Sequence, residues 1–180
     1  MKEIEVKARI SNKPQLLEKL AALGCELSAP ITQRDQIFVP HGVTVPTPPG
    51  VNVLRIRQQD GATIFTLKQA ISNQLDCLER ELGIDDPAAM ADIFKLLGFE
   101  ESSRVNKTRQ KGLYNGLEIC VDSVEGLGDF IEVEKLSEDA DSAAVQAELF
   151  AFLKTLGVQE SDRVYDGYDV LMIKSKQGLL

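Results

Sequence analysis

Two short stretches of this chain place carboxylates two residues apart: Glu3-Ile4-Glu5 near the start, and Glu132-Val133-Glu134 much later. Between them, bases recur at the same interval, as Arg55 and Arg57 and again as Lys107 and Arg109. Successive side chains of a β-strand point to opposite faces, so a spacing of two puts both members of each pair on one face. Lys7 joins Glu3 and Glu5, opposite Ile4, Val6 and Ala8, while Lys68 shares a face with Thr66, opposite Phe65 and Leu67. Glu79 and Glu81 oppose Leu78 and Leu82, and Glu118, Cys120 and Asp122 oppose Leu117, Ile119 and Val121.

The residue types define a chemistry. Mg²⁺ prefers oxygen ligands and is typically held by one or two carboxylates plus substrate phosphates. Arginine forks match phosphate oxygens bidentately. Acids for a divalent metal and bases for a triphosphate make a phosphoryl-transfer site. A charged face on one antiparallel strand is usually the solvent side. Here, however, Lys, Glu and Asp occupy strand centres in pairs sorted by sign, although these residues are depleted in strands. If helices cover the apolar side, the charged side points inward. Unpaired buried ions cost several kcal/mol each, so such an interior needs water, metal ions or a polyanion.

The elements that would carry these pairs can be read from periodicity. Strand-like runs cover roughly 2–10, 31–39, 53–59, 63–70, 75–84, 104–112, 116–123 and 129–136. Asp60-Gly61 and Asn115-Gly116 are two-residue hairpin signals, and Glu125 to Gly128 offers a third turn. Amphipathic helices are expected over Asn12 to Leu23, Asp86 to Leu97 and Ser142 to Leu156, each followed by a glycine that can stop it. The proline-rich stretch 40–50 reads as an exposed loop. Hairpins dominate, so the expected fold is α+β: an eight-stranded antiparallel β-barrel with helices packed on the outside.

Bulk properties bound the function. A chain of 180 residues suffices for one domain spanning 1–180. The net charge of −8 argues against wrapping nucleic acid or sitting on an anionic membrane, although a local basic cluster can still bind phosphate. No run approaches the ~20 apolar residues that span a bilayer. The chain enters a charged strand at once, with no signal peptide. Cys25, Cys77 and Cys120 lack metal-type spacing and read as free thiols, which places the protein in the cytoplasm.

In order along the chain, Glu3-Ile-Glu-Val-Lys7, Leu54-Arg-Ile-Arg57, Thr66-Leu-Lys68 and Glu79-Arg-Glu81 resemble the motifs of the CYTH domain, the triphosphate tunnel metalloenzymes. Lys107-Thr-Arg109, Asp122 and Val124-Glu-Gly-Leu-Gly-Asp-Phe-Ile-Glu-Val-Glu134 continue the match over essentially the whole chain. The Gly-Leu-Gly-Asp-Phe turn is most similar to the class IV adenylyl cyclase branch. The resemblance implies a charged tunnel holding a triphosphate and Mg²⁺ or Mn²⁺. It assigns the metal to Glu3, Glu5, Glu132 and Glu134, supported by Glu79 and Asp122. It assigns the phosphates to Lys7, Arg55, Arg57, Lys68, Lys107 and Arg109, with Lys7, Lys107 and Arg109 as the catalytic group. A homodimer is compatible with the family.

One position departs from the pattern. Where the family often shows Asp-x-Tyr-Phe, this chain has Asp35-Gln36-Ile37-Phe38. That tyrosine is thought to help activate water in some triphosphatases, and isoleucine cannot move a proton, so this weighs against triphosphate hydrolysis. The expected activity is conversion of ATP to cyclic AMP and pyrophosphate. The alternatives are a triphosphatase acting on thiamine triphosphate or inorganic triphosphate, and a nucleotide- or polyphosphate-binding module without turnover. His41 reads as a solvated loop residue, Cys77 and Cys120 as small packing residues, and Tyr165 and Tyr168 as residues that pack or close the fold.

Overall fold

The alternating segments fold as strands of a closed antiparallel barrel in the computed structural model, which describes residues 2–137 and 141–180. The elements are β1 (Lys2–Ile10), α1 (Lys13–Ala22), β2 (Ile31–Pro40), β3 (Asn52–Gln59), β4 (Ala62–Ala70), β5 (Asp76–Gly83) and α2 (Pro87–Leu96). There follow β6 (Phe99–Tyr114), β7 (Leu117–Val124), β8 (Gly128–Ser137), α3 (Ser142–Thr155), a 3₁₀ turn (Glu160–Asp162), β9 (Arg163–Val164) and α4 (Tyr168–Lys176). Among the described residues no helix is long and apolar enough to cross a membrane.

The strands are ordered β5-β4-β3-β2-β6-β7-β8-β1, and β1 returns to β5 to close the ring. Closure is short: Glu3 pairs with Cys77 and Ile4 with Asp76. Farther along the same edge of β1, Lys7 and Ala8 pair instead with Val164 and Arg163 of the short β9. The barrel is thus the expected eight-stranded one, with a C-terminal segment completing its seam.

Turn chemistry sets the hairpins. Asp60 and Gly61 both have positive φ (51° and 78°), as do Asn115 and Gly116 (50° and 77°), which is what a two-residue turn between twisted strands requires. Side-chain caps start three helices: Asn12 accepts from the Gln15 amide, Asp86 from Ala88 and Ala89, and Asp141 from Ala143. These are the three helices expected from sequence.

Two elements differ from the sequence reading. β6 begins at Phe99, five residues earlier than expected, because Glu100 to Ser103 are polar on both faces and show no alternation. A bulge lies there, where the pairing shifts between Ile37/Ser103 and Phe38/Glu101, and the Ser102 hydroxyl donates to the Ile37 carbonyl. The other difference is α4, which no helix signal in the sequence had indicated.

Apolar strand faces look outward onto helices. Ile4, Val6, Ile119, Val121, Ile131 and Val133 pack against Leu16 and Leu20 of α1 and Val145, Leu149 and Leu153 of α3. Phe38, Leu54 and Ile56 pack against Phe94 of α2, whose ring meets Phe38 edge-on at 5.2 Å. A third cluster is different in kind. It joins Ile37, Val105, Val124 and Phe130, which share strand faces with the charged residues, to Tyr168 and Leu171 of α4. With the outer faces covered, the charged faces have nowhere to go but inward.

Candidate active site

The inward faces enclose a cavity of about 350 Å³. Its lining holds nine carboxylate and seven cationic side chains, so it carries more negative than positive groups before any ligand arrives. Adjacent strands place opposite charges side by side, and most of them pair.

On β1, the Lys7 ammonium lies 3.1 Å from Glu132 and 3.4 Å from Glu5. Burial alone would lower its pKa, but Glu132 and Glu5 outweigh burial and raise it, so Lys7 stays charged. On β6, Arg109 donates to both oxygens of Asp122 on β7, with Nε to Oδ1 at 2.7 Å, and also meets Glu132 on β8. Burial opposes ionisation of Glu132, yet Arg109, Lys7 and Lys107 hold it well below the usual carboxylate range.

On β3, Arg57 forks onto Asp35 of β2 with bonds of 2.8 and 2.7 Å. Its neighbour Arg55 donates to Thr66 and Glu81, each at 3.0 Å, and Lys68 meets Glu79 at 2.9 Å. Each of these pairs follows from strand register: Asp35 is opposite Arg57, Thr66 opposite Arg55, and Glu79 opposite Lys68.

Three groups stand apart from this neutralised network. Glu3 and Glu134 carry no ion pair among the described residues. Burial, then Glu79 and Glu5, push the Glu3 carboxyl up to about 7. Burial, then Glu3 and Glu5, push Glu134 up to about 8. These carboxylates repel one another, and Lys68 only partly offsets that repulsion at Glu3. Lys107 is the converse: burial and the neighbouring Arg109 bring it down to about 8, in spite of its 3.1 Å contact with Asp122.

The CYTH domain model matches residues 1–168. The chain belongs to the CYTH domain family. It is 32% identical over 171 residues to a Methanocaldococcus jannaschii protein named "Putative adenylate cyclase", covering 93% of this chain and 97% of that one. A solved Pyrococcus horikoshii structure superposes with a TM-score of 0.79 at 26% identity, covering 96% of this chain and 98% of that one. The fold also matches a Hippeastrum protein described as a "putative adenylyl cyclase" with a dominant triphosphatase activity (TM-score 0.63, 20% identity, 100% and 97% of the two chains).

In this CYTH chain, eleven of the twelve site residues expected from sequence line the one cavity: Glu3, Glu5, Lys7, Arg55, Arg57, Lys68, Glu79, Lys107, Arg109, Glu132 and Glu134. Asp122 lies behind the wall, with no exposed surface and both oxygens held by Lys107 and Arg109. Glu81, Lys111 and Glu118 also line the cavity, at the parity their strands dictate.

Sequence reasoning passed over three contributors. Asp35 was a lone acid on a strand without a charged pair, although it shares a face with Gln33 and Ile37. Thr47 comes from the proline-rich loop, whose carbonyl accepts from Gln74 at 2.8 Å, so that loop is part of the cavity wall and not a plain surface loop. Tyr168 packs as expected, but it also lines the cavity. Cys77 lines the wall as well, while Cys25, Cys77 and Cys120 are all free thiols. His41 is largely exposed, near Glu100, as a solvated loop residue should be.

The residues present suit a divalent cation. Among the described residues no three His, Cys, Asp or Glu side chains are already gathered for a metal. Mg²⁺ does not need such a cage, because it draws on one or two carboxylates and completes its shell with water and substrate phosphates. Glu3 and Glu134, with Glu5 beside them, offer hard oxygen donors whose repulsion a cation would relieve.

Proposed function

We propose that the channel converts ATP to cyclic AMP and pyrophosphate with the help of Mg²⁺ or Mn²⁺. The observation that carries this reading is the division of the lining. A wall of paired cations able to share phosphate oxygens lies beside two carboxylates, Glu3 and Glu134, that form no ion pair among the described residues. Because the lining already has an excess of acid, a triphosphate entering alone would meet net repulsion, so nucleotide and metal are expected to bind together.

A divalent cation held by Glu3 and Glu134 would lower the pKa of the ribose 3′-hydroxyl and neutralise the α-phosphate. The chain's own residues do the rest. Arg55, Arg57 and Lys68 grip the β- and γ-phosphates and fix the α-phosphorus for in-line attack. The 3′-hydroxyl gives its proton to solvent as its oxygen forms a bond to that phosphorus and the bond to the β-phosphate oxygen breaks, releasing pyrophosphate. Lys7 and Arg109, held charged by Glu132, stabilise negative charge on the leaving group. Lys107, with its pKa near neutrality, can give that group a proton. Ile37, inside the barrel where some family members have tyrosine, cannot activate water, which supports cyclisation over hydrolysis.

The test is to incubate purified protein with Mn²⁺ or Mg²⁺ and ATP, thiamine triphosphate or inorganic triphosphate, and to identify products by chromatography. Cyclic AMP with pyrophosphate is the expected result. Orthophosphate without cyclisation would make the protein a triphosphatase, and binding without either product a non-catalytic module.

A further inference from the structure

Two cations of the channel share one aromatic neighbour. The ring centroid of Tyr168 lies 4.2 Å from Lys7 Nζ and 4.7 Å from Lys107 Nζ. Both distances are well inside the range at which an ammonium feels the negative face of an aromatic ring. Neither lysine reaches this position from a neighbouring residue in sequence; the ring is brought in by the C-terminal segment.

That segment is fixed to the site at several points. Val164 pairs with Lys7 across the barrel seam. The Asp166 carbonyl accepts from Lys7 Nζ at 3.3 Å, and Lys174 holds the Asp166 carboxylate at 2.6 Å. The Tyr168 ring stands edge-on to Phe130 at 5.1 Å and belongs to the apolar cluster that includes Ile37, Val105 and Leu171. Its hydroxyl is buried beside Asp122, with no well-formed hydrogen bond among the described residues. Packing alone would be served as well by a phenylalanine, and the Asp122 carboxylate beside the hydroxyl already accepts from Lys107 and Arg109. What distinguishes the position is a π-face beneath two ammonium groups.

We propose that Tyr168 is a positioning residue of the phosphate site: its ring holds the Lys7 and Lys107 ammonium groups facing the channel, where they meet the phosphates of the substrate. The inference rests on the triphosphate reading of the channel. Lys107 has most need of such support, because Arg57 and Arg109 both repel it and Asp122 supplies its carboxylate contact. The ring offers each ammonium a neighbour that does not neutralise its charge, unlike the carboxylates around it.

The experiment compares proteins that differ in ring electrostatics but not in shape. Tripolyphosphate binding in the presence of Mn²⁺ is measured by calorimetry for the full chain, for Tyr168→Phe, and for the chain with 3,4,5-trifluorophenylalanine at position 168. Fluorination preserves the ring's outline and strips negative potential from its face. Tyr168→Phe is expected to stay within about threefold of the unaltered protein, and the trifluoro variant to bind about tenfold more weakly. If triphosphate is turned over, kcat/KM should fall by at least the same factor, because Lys7 and Lys107 serve both binding and the leaving group.

Equal affinity in the phenylalanine and trifluorophenylalanine proteins overturns the proposal, because a packing role does not sense ring charge. A loss in Tyr168→Phe as large as in the trifluoro protein also overturns it, since the hydroxyl would then be the active part. Failure of the unaltered protein to bind tripolyphosphate at all would overturn the triphosphate reading, and this inference with it.

Discussion

Lys7 on β1 and Glu132 on β8 stand directly opposite each other in the strand register, and their charged atoms meet at 3.1 Å inside the barrel. Glu134, two residues farther on and on the same face, is opposite Glu5 and meets no cation among the described residues. The closing Glu-x-Glu pair is therefore divided. One glutamate neutralises Lys7 and Arg109, and the other is left with like charges around it.

This division gives the two glutamates opposite effects on stability. Glu132→Gln removes a partner from two buried cations and should cost about 3 kcal/mol, the usual consequence of breaking a buried pair. Glu134→Gln removes a repulsive charge and should stabilise the metal-free protein at pH 8. Urea denaturation of both variants checks the contrast.

The raised carboxyls also set a pH dependence. Glu3 and Glu134 have folded-state pKa values of about 7 and 8, against 4.5 for an ordinary glutamate. An acid whose pKa is raised by folding favours the folded state fully below its unfolded value, and that contribution is lost as pH climbs through the folded value. Stability of the metal-free protein should thus fall between about pH 5 and pH 8 from these two groups. Added Mn²⁺ should raise the melting temperature at pH 8 and much less at pH 5, a response that Glu3→Gln with Glu134→Gln should abolish. Differential scanning fluorimetry across pH reads both effects.

Arg57 reaches Asp35 through a fork of two hydrogen bonds, and a planar fork is also what a phosphate requires. Arg57→Lys keeps the charge but loses the fork. KM for the triphosphate is expected to rise about tenfold while kcat changes little, as measured by steady-state kinetics.

Leu153 of α3 has no exposed surface and packs on the outer face of β1, β7 and β8, away from the channel. Leu153→Ala should cost about 3 kcal/mol through loss of buried area and creation of a cavity. KM should be unchanged at a temperature where the variant remains folded, because Leu153 is not among the residues that line the channel.

Much of this arrangement could be read from residue spacing. The pairs 3/5, 55/57, 107/109 and 132/134 sort onto one face by parity alone, and Asp60-Gly61 and Asn115-Gly116 fix the turns that bring those faces together. What escaped was set by tertiary context. Glu100 to Ser103 extend β6 because β2 offers them backbone partners, a fact that side-chain alternation does not record. α4 follows Gly167, which has no side chain to cap it, so the usual start signal is missing. Asp35 is a single acid whose importance comes from Arg57 on the next strand. Tyr168 acquires its neighbours only when the C-terminal segment returns to the seam beside Lys7.

The proposed activity depends above all on an acid-rich channel that accepts a triphosphate together with a divalent cation. Calorimetric titration of tripolyphosphate into the full chain, with and without Mn²⁺, tests this most directly. Affinity should rise at least about tenfold with the metal, and Glu3→Gln with Glu134→Gln should remove most of that gain. Affinity that is the same with and without metal, or no saturable binding under either condition, would contradict it.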